Sequence, residues 1–218
     1  MVKLAGTTVS ILIFAFASAA QGQIASLTGR EYEKALKSAA AISEKRVRRV
    51  TTLIETKTKG RITSKSQHVE EYIPPELERF VDTTFSGGDS ATEETIQIGS
   101  LGFQKKENTP WVEWTGPPFR ALAPQPVSSC GTFAGELGSY GSGETNLEGH
   151  VTRFLSRNAE TNMQGLVLQE VCRVLISSDG VLLKIEIETI EGDSKEWVKR
   201  IVSTWAYDPS IRIEAPIK

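Results

Sequence analysis

The chain has 218 residues, with 25 Lys and Arg against 27 Asp and Glu, and a formal net charge of -2 at pH 7. This length suits one domain with a buried core, and the charge balance offers no basic face for nucleic acid. The one basic cluster, at Arg46, Arg48 and Arg49, has Glu44 beside it, which is typical of a solvated helix end or strand start.

The amino terminus has the pattern of a secretory signal peptide over residues 1–20. Lys3 is followed by an apolar stretch from residue 4 to 17, and small residues end it at positions 17–20. The stretch falls short of the roughly 20 apolar residues of a membrane span, although an uncleaved anchor is the alternative. We expect an exported protein, periplasmic or secreted, whose residues 21–218 form a single domain that does not span the membrane after cleavage.

A helix is predicted to follow. Thr28 and Glu31 have the spacing of a capping box, and apolar or small residues then recur at helical spacing up to residue 40. From residue 50 the period changes to two. Extended segments separated by Gly or Pro indicate an antiparallel meander; they cover residues 50–57, 62–73, 77–85, 92–98, 103–106 and 111–114.

Residues 115–149 interrupt this pattern with four prolines and then several glycines, which predicts an irregular crossover. A second meander follows over residues 151–155, 166–176, 181–188 and 197–207, with a last edge strand at 211–214. Its clearest alternation sets Val181, Leu183, Ile185 and Ile187 against charged neighbours, so the sheet should have one dry and one wet face.

The sequence carries little that indicates chemistry. Cys130 and Cys172 are the only cysteines, and in an exported chain they favour one disulfide over two buried free thiols. The histidines, His68 and His150, lie in no zinc-binding spacing. No G-x-S-x-G elbow marks a nucleophile, but the members of a Ser–His–Asp triad come together only in the folded chain, so the sequence leaves such a triad open. We therefore predict no catalytic residue, no metal and no cofactor; a cluster of either histidine with carboxylates in a cleft would favour an enzyme instead.

Four passages resemble the periplasmic lipoprotein-carrier superfamily, which includes the LolA/LolB carriers, the LppX/LprG lipid-binding lipoproteins and the RseB sensor. The passages are residues 32–40, 72–80, 94–103 with Trp111, and 207–216. The resemblance implies a mainly β (α+β) fold, a strongly curved antiparallel half-barrel with an N-terminal helix covering its open side. The chain departs from the family in its Pro- and Gly-rich crossover, and it lacks the lipobox cysteine of some members.

That resemblance implies an exported protein that binds or carries a lipid or a lipoprotein acyl chain in a hydrophobic cavity, with an envelope protein as a further partner. The alternative is a sensor or protein-binding module with a filled core on the same fold. For the carrier we expect Tyr32 and Leu36 on a lid. The expected cavity wall consists of Leu53, Phe80, Ile98, Phe103, Trp114, Leu183, Ile185, Ile187 and Trp205. Each of these residues has plain core packing as its alternative.

Overall fold

The computed structural model describes residues 24–86, 88–115, 126–131, 137–163, 166–192 and 196–216. The signal sequence predicted at residues 1–20 lies outside this part of the chain and stays a prediction. The described residues form one antiparallel sheet of twelve strands, with order β1-β8-β9-β10-β11-β12-β2-β3-β4-β5-β6-β7. The sheet stays open between its edge strands β1 and β7, so the fold class expected from the sequence, a mainly β half-barrel, is confirmed.

The first meander and its helix follow the sequence pattern closely. The strands of this meander are β2 (Arg48–Thr58), β3 (Arg61–Ile73), β4 (Leu77–Ser86), β5 (Asp89–Ile98), β6 (Leu101–Lys106) and β7 (Val112–Thr115). A short strand that the sequence did not predict, β1 (Ala25–Leu27), precedes the helix and pairs with the strand at residues 137–147. Helix α1 spans Gly29–Ser43. Its capping box is present, because the Glu31 amide donates to the Thr28 hydroxyl at 3.3 Å and the Thr28 amide donates to the Glu31 carboxylate at 2.8 Å. These bonds from Thr28 lower the pKa of Glu31.

The crossover is partly a strand, which corrects the expectation of an irregular segment over 115–149. A short helix α2 (Pro126–Ser129) is followed by β8 (Leu137–Leu147), which pairs with β1 on one side and β9 on the other. Glycines explain both the missed strand and its close packing. A Cβ at Gly141 would lie 2.9 Å from the Ile24 side chain and 3.0 Å from the Ser156 hydroxyl, so only glycine fits there.

The second meander consists of β9 (His150–Met163), β10 (Leu166–Ile176), β11 (Leu182–Glu191) and β12 (Trp197–Ala206). The edge strand expected at 211–214 is not one. Ile211 and Ile213 instead pack in a small apolar cluster with Ile96 and Phe103.

The pairing register divides the side chains between two faces. We call the side covered by α1 the helix face; it carries Val50, Ile185 and Cys172, which belong to one core with Tyr32 and Leu36. The other side is the opposite face. A register shift between Leu175 and Ile176 changes the alternation predicted for β11, so that Leu182 enters the core while Leu183 is half-buried.

Charged side chains follow the opposite face. Arg49, Glu71, Arg79 and Glu94 form a chain of ion pairs in which the Glu71 carboxylate is almost fully buried. In the second meander, Glu186 lies among Lys184, Arg200 and Arg173. Burial alone would raise the pKa of Glu186, but the hydrogen bond from Arg200 and the surrounding positive charges outweigh it, so its pKa is lowered.

Candidate functional site

The helix face has two chemically different halves. The apolar half comprises strands β8 to β12 together with β2, and α1 packs on it. The polar half comprises strands β3 to β6, where the register places Ser66, His68, Asp82, Glu93 and Gln104 on the same side of the sheet. A hydrogen bond of 2.8 Å between the Thr52 and Ser203 hydroxyls runs within the apolar half, between its neighbouring strands β2 and β12.

The apolar half is closely covered. Tyr32 and Leu36 of α1 are 0% and 2% exposed. Ala39, on the same buried side of the helix, has a small side chain that lets the helix lie close to the sheet. The core beneath the helix is formed by Val50, Leu155, Cys172, Val174, Ile176, Leu182, Ile185, Ile187, Ile201 and Trp205, with Cys130 beside it. Among the described residues, their own side chains therefore fill the space between helix and sheet.

Two buried hydrogen-bond arrangements hold α1 against this surface. The Tyr32 hydroxyl donates to the Cys130 carbonyl at 3.1 Å, and Cys130 is itself joined to Cys172 of β10 by a disulfide, which confirms the pairing predicted from the sequence. Near the other end of the helix, the Ser43 hydroxyl donates to the Ala39 carbonyl at 2.7 Å and accepts the Leu182 amide at 2.9 Å. The helix is thus fixed to the sheet at both ends.

A small groove opens beside the carboxyl end of α1. Its volume is about 70 Å³, and it is lined by Ala40, Ser43, Glu44, Arg48, Val50, Glu70, Val127, Leu182 and Trp205. Arg48 forms an ion pair with Glu70 at 3.0 Å and lies over the Tyr72 ring at 4.3 Å. The groove joins apolar sheet residues to a charged rim, but it is far smaller than the roughly 300–1,000 Å³ of a ligand pocket.

A buried ion pair lies within the apolar half. The Arg157 side chain is 2% exposed, and its guanidinium donates to the Glu170 carboxylate at 2.6 Å. Arg157 is directly opposite Cys172 in the register, so it lies beside the disulfide. A buried guanidinium needs such a partner, because an unpaired charge in an apolar surrounding is costly.

The polar half contains a hydrogen-bonded chain of three residues. His68 of β3 is directly opposite Asp82 of β4, and its Nδ1 is hydrogen-bonded to the Asp82 carboxylate. Its Nε2 lies 3.5 Å from the Ser66 hydroxyl. Glu93, opposite Asp82 in β5, accepts a hydrogen bond from Gln104 of β6. The sequence analysis named a cluster of either histidine with carboxylates in a cleft as a sign of an enzyme, and His68 and Asp82 supply the histidine and the carboxylate of such a cluster.

The eleven residues expected at the cavity do not lie together. Tyr32, Leu36, Ile185, Ile187 and Trp205 meet in the core under α1. Phe80 and Trp114 are on the helix face but in the region of β4 to β7, where the Trp114 ring covers Gly102. Leu53, Ile98 and Phe103 point to the opposite face, and Leu183 lies outside the core cluster.

Sequence reasoning missed Arg157, Ser66 and the His68–Asp82 pair. The spacing of Ser66 and His68 in a strand places both on one face, but Asp82 joins them only through the β3–β4 register. In the part of the chain that the structure describes, no group of three His, Cys, Asp or Glu residues is arranged to hold a metal ion. No helix there has the length and apolarity to cross a membrane.

Comparison with known proteins gives matches to solved structures only. No family model matches the chain, and no curated protein matches it. LprF from Mycobacterium bovis is 12% identical, covers 89% of this chain and 100% of its own, and has a TM-score of 0.48. A LolA superfamily protein from Nitrosomonas europaea is 10% identical, with coverages of 83% and 92% and a TM-score of 0.30.

A DUF1329 family protein from Desulfovibrio piger is 8% identical, with coverages of 84% and 94% and a TM-score of 0.29. One of these matches is to a protein of the LolA superfamily, which the sequence also resembles. They concern the arrangement of strands and helix alone.

Proposed function

We propose that the chain is an exported protein that binds a lipid or a lipoprotein acyl chain against the apolar half of the helix face, beneath α1. The observation that carries this proposal is an apolar core cluster that draws residues from six neighbouring strands and lies against α1. Six strands extend over about 24 Å, and a helix of 15 residues is about 22 Å long. Movement of this single element would therefore uncover most of the surface.

The energetics favour a long chain. Each buried methylene contributes about 0.8 kcal/mol, so an acyl chain gains on the order of 10 kcal/mol before ordering costs. The described side chains fill the space beneath α1, and the groove beside it has a volume of only about 70 Å³, so binding of an acyl chain beneath α1 requires the helix to move away from the sheet. That movement breaks the buried hydrogen bonds of Tyr32 and Ser43, at about 1–3 kcal/mol each. The gain from a long chain offsets this cost, whereas the gain from a short one does not.

The disulfide supports the export part of this proposal, since such bonds persist in oxidising compartments outside the cytosol. One observation favours the second candidate, a sensor or protein-binding module. The described core beneath α1 is filled by its own side chains, as in a domain that binds partners only at its surface. An envelope protein would then be the partner.

Native mass spectrometry and lipid extraction on the mature protein, purified from its own host without detergent, distinguish the two candidates. Stoichiometric lipid is the expected result. Fluorescent fatty acid uptake should be lost in Ala39→Trp, because Ala39 faces the sheet at 3% exposure, and retained in Ala41→Trp on the exposed side of the same helix. Absence of bound lipid together with absence of uptake would overturn the carrier proposal in favour of the protein-binding module.

A further inference from the structure

Ser66, His68 and Asp82 have the connectivity of a hydrolytic triad. Ser66 and His68 are two residues apart in β3 and therefore share the helix face, and Asp82 is the direct neighbour of His68 across the β3–β4 pair. The carboxylate contacts Nδ1 and the serine hydroxyl faces Nε2. A base oriented by a carboxylate on one nitrogen and facing a nucleophile on the other is the arrangement that activates serine.

The carboxylate also sets the tautomer of the ring. An ionised carboxylate only accepts hydrogen bonds, so the Asp82 contact requires the proton of neutral His68 to be on Nδ1. Nε2 is then the acceptor, and Ser66 must donate its hydroxyl proton towards it. The 3.5 Å separation exceeds the usual 2.6–3.2 Å, and contacts of this kind tighten when substrate is bound.

The position of the three residues suits an acyl ester. The side chains of His68 and Asp82 are 24% and 39% exposed, so a substrate can reach them from solvent. Ser66 is directly opposite Ile54 of β2, which packs against the core under α1. An ester carbonyl at Ser66 would therefore have the apolar half on one side for its acyl chain and the polar half on the other.

We propose that Ser66, His68 and Asp82 form a catalytic site that hydrolyses carboxylic esters of acyl chains. Ser66 Oγ attacks the ester carbonyl and its proton passes to His68 Nε2. The C–O bond to the alcohol breaks, and the alcohol leaves with that proton. Water then attacks the acyl-serine, His68 takes a proton from it, and the carboxylic acid and the Ser66 hydroxyl are released.

Thr84 is the side chain placed to stabilise the oxyanion. It is directly opposite Ser66 on β4, in the same relation that Asp82 has to His68, and it is exposed. Directly opposite residues have Cβ atoms about 4.5–5.5 Å apart, which brings the Thr84 hydroxyl within reach of a carbonyl oxygen at Ser66. Loss of one such donor lowers kcat by about 10²–10³-fold in serine hydrolases.

The choice of an acyl ester as substrate rests on the proposed binding function, whereas the hydrolytic step itself does not, because a short water-soluble ester needs no movement of α1. The test uses the mature chain with p-nitrophenyl butyrate and with a fluorophosphonate probe. We expect one adduct per chain, mapped to Ser66 by peptide mass spectrometry. Ester turnover should fall to the buffer rate in Ser66→Ala and by at least about 100-fold in His68→Asn.

Ser64→Ala is the matched control, since Ser64 lies two residues before Ser66 on the same strand and face and is exposed, whereas Ser66 is half-buried. It should keep full turnover and full labelling. Thr84→Val should lower kcat while labelling at Ser66 persists. Thermal melting of each variant shows whether the fold is retained. Labelling of the unmodified chain tests whether Ser66 is nucleophilic even if a variant does not fold.

An unlabelled Ser66 in the unmodified chain, an adduct at another serine, or equal turnover in Ser66→Ala and Ser64→Ala would overturn the proposal. The three residues would then form only a hydrogen-bonded link between β3 and β4. Each of these results leaves the lipid-binding test untouched, because that test measures bound lipid and not turnover.

Discussion

Replacement of Tyr32 by Phe should destabilise the protein by removing the buried hydrogen-bond contacts of its hydroxyl with the Cys130 carbonyl and the Cys172 sulfur. Tyr32 is fully buried, and its hydroxyl donates to the Cys130 carbonyl at 3.1 Å. The substitution keeps the ring that packs at 5.3 Å from the Tyr140 ring and deletes only the oxygen. A buried acceptor that loses its donor costs about 1–3 kcal/mol. For a chain of this length each kcal/mol corresponds to about 2–4 °C in Tm.

Urea unfolding and thermal melting of Tyr32→Phe measure this cost, with Tyr72→Phe as the matched control. The Tyr72 hydroxyl also donates to a backbone carbonyl, that of Pro75 at 3.0 Å, but this bond is exposed to water. Its loss should therefore change the free energy of unfolding by less than about 0.5 kcal/mol. Equal effects of the two substitutions would refute the conclusion that the Tyr32 hydrogen bond is shielded from water and holds α1 in place.

Three further variants test other parts of the structure. Ser43→Ala should cost about 1–3 kcal/mol in urea unfolding, because the buried Leu182 amide loses its acceptor; no change would mean that water reaches this end of α1. Replacing Cys130 and Cys172 by Ala should cost about 4 kcal/mol, the loop-entropy value for a separation of 42 residues. Because the pKa of Glu186 is lowered in the folded chain, its contribution to stability should be present above its unfolded pKa and be lost as pH falls through its folded pKa. Glu186→Gln should accordingly flatten the loss of unfolding free energy in acid, and an unchanged pH profile would contradict this.

Local patterns predicted the elements better than they predicted the faces. The capping box at Thr28 and Glu31 and the period of the following residues depend on near neighbours, so α1 appeared where expected. Strand β8 was not predicted, because its glycines have low strand propensity. The reason for them, the close approach of β1 and β9, is seen only in the folded chain.

The candidate site was harder to predict because it depends on register and on the path of the carboxyl terminus. Phe103 and Ile98 were expected to face a cavity, but they pack with Ile211 and Ile213 on the opposite face. That second core exists because the chain after β12 crosses this side of the sheet, which alternation within a strand does not reveal. The His68–Asp82 contact likewise depends on pairing between strands.

Whether the apolar half excludes water can be tested through the ion pair between Arg157 and Glu170. Arg157 is 2% exposed and Glu170 is 31% exposed, so Glu170→Leu leaves a buried guanidinium without this carboxylate, at a cost of about 1–3 kcal/mol. Replacing both residues by Leu removes the charge and should cost less than Glu170→Leu alone, a difference that a double-mutant cycle in urea measures. The pair Arg173–Glu188 on the opposite face is the control, because its guanidinium is 56% exposed where that of Arg157 is 2% exposed, and its coupling should be about 0–1 kcal/mol. Equal couplings would show that water reaches Arg157 beneath α1, and the surface on which acyl-chain binding was proposed would then not be dry.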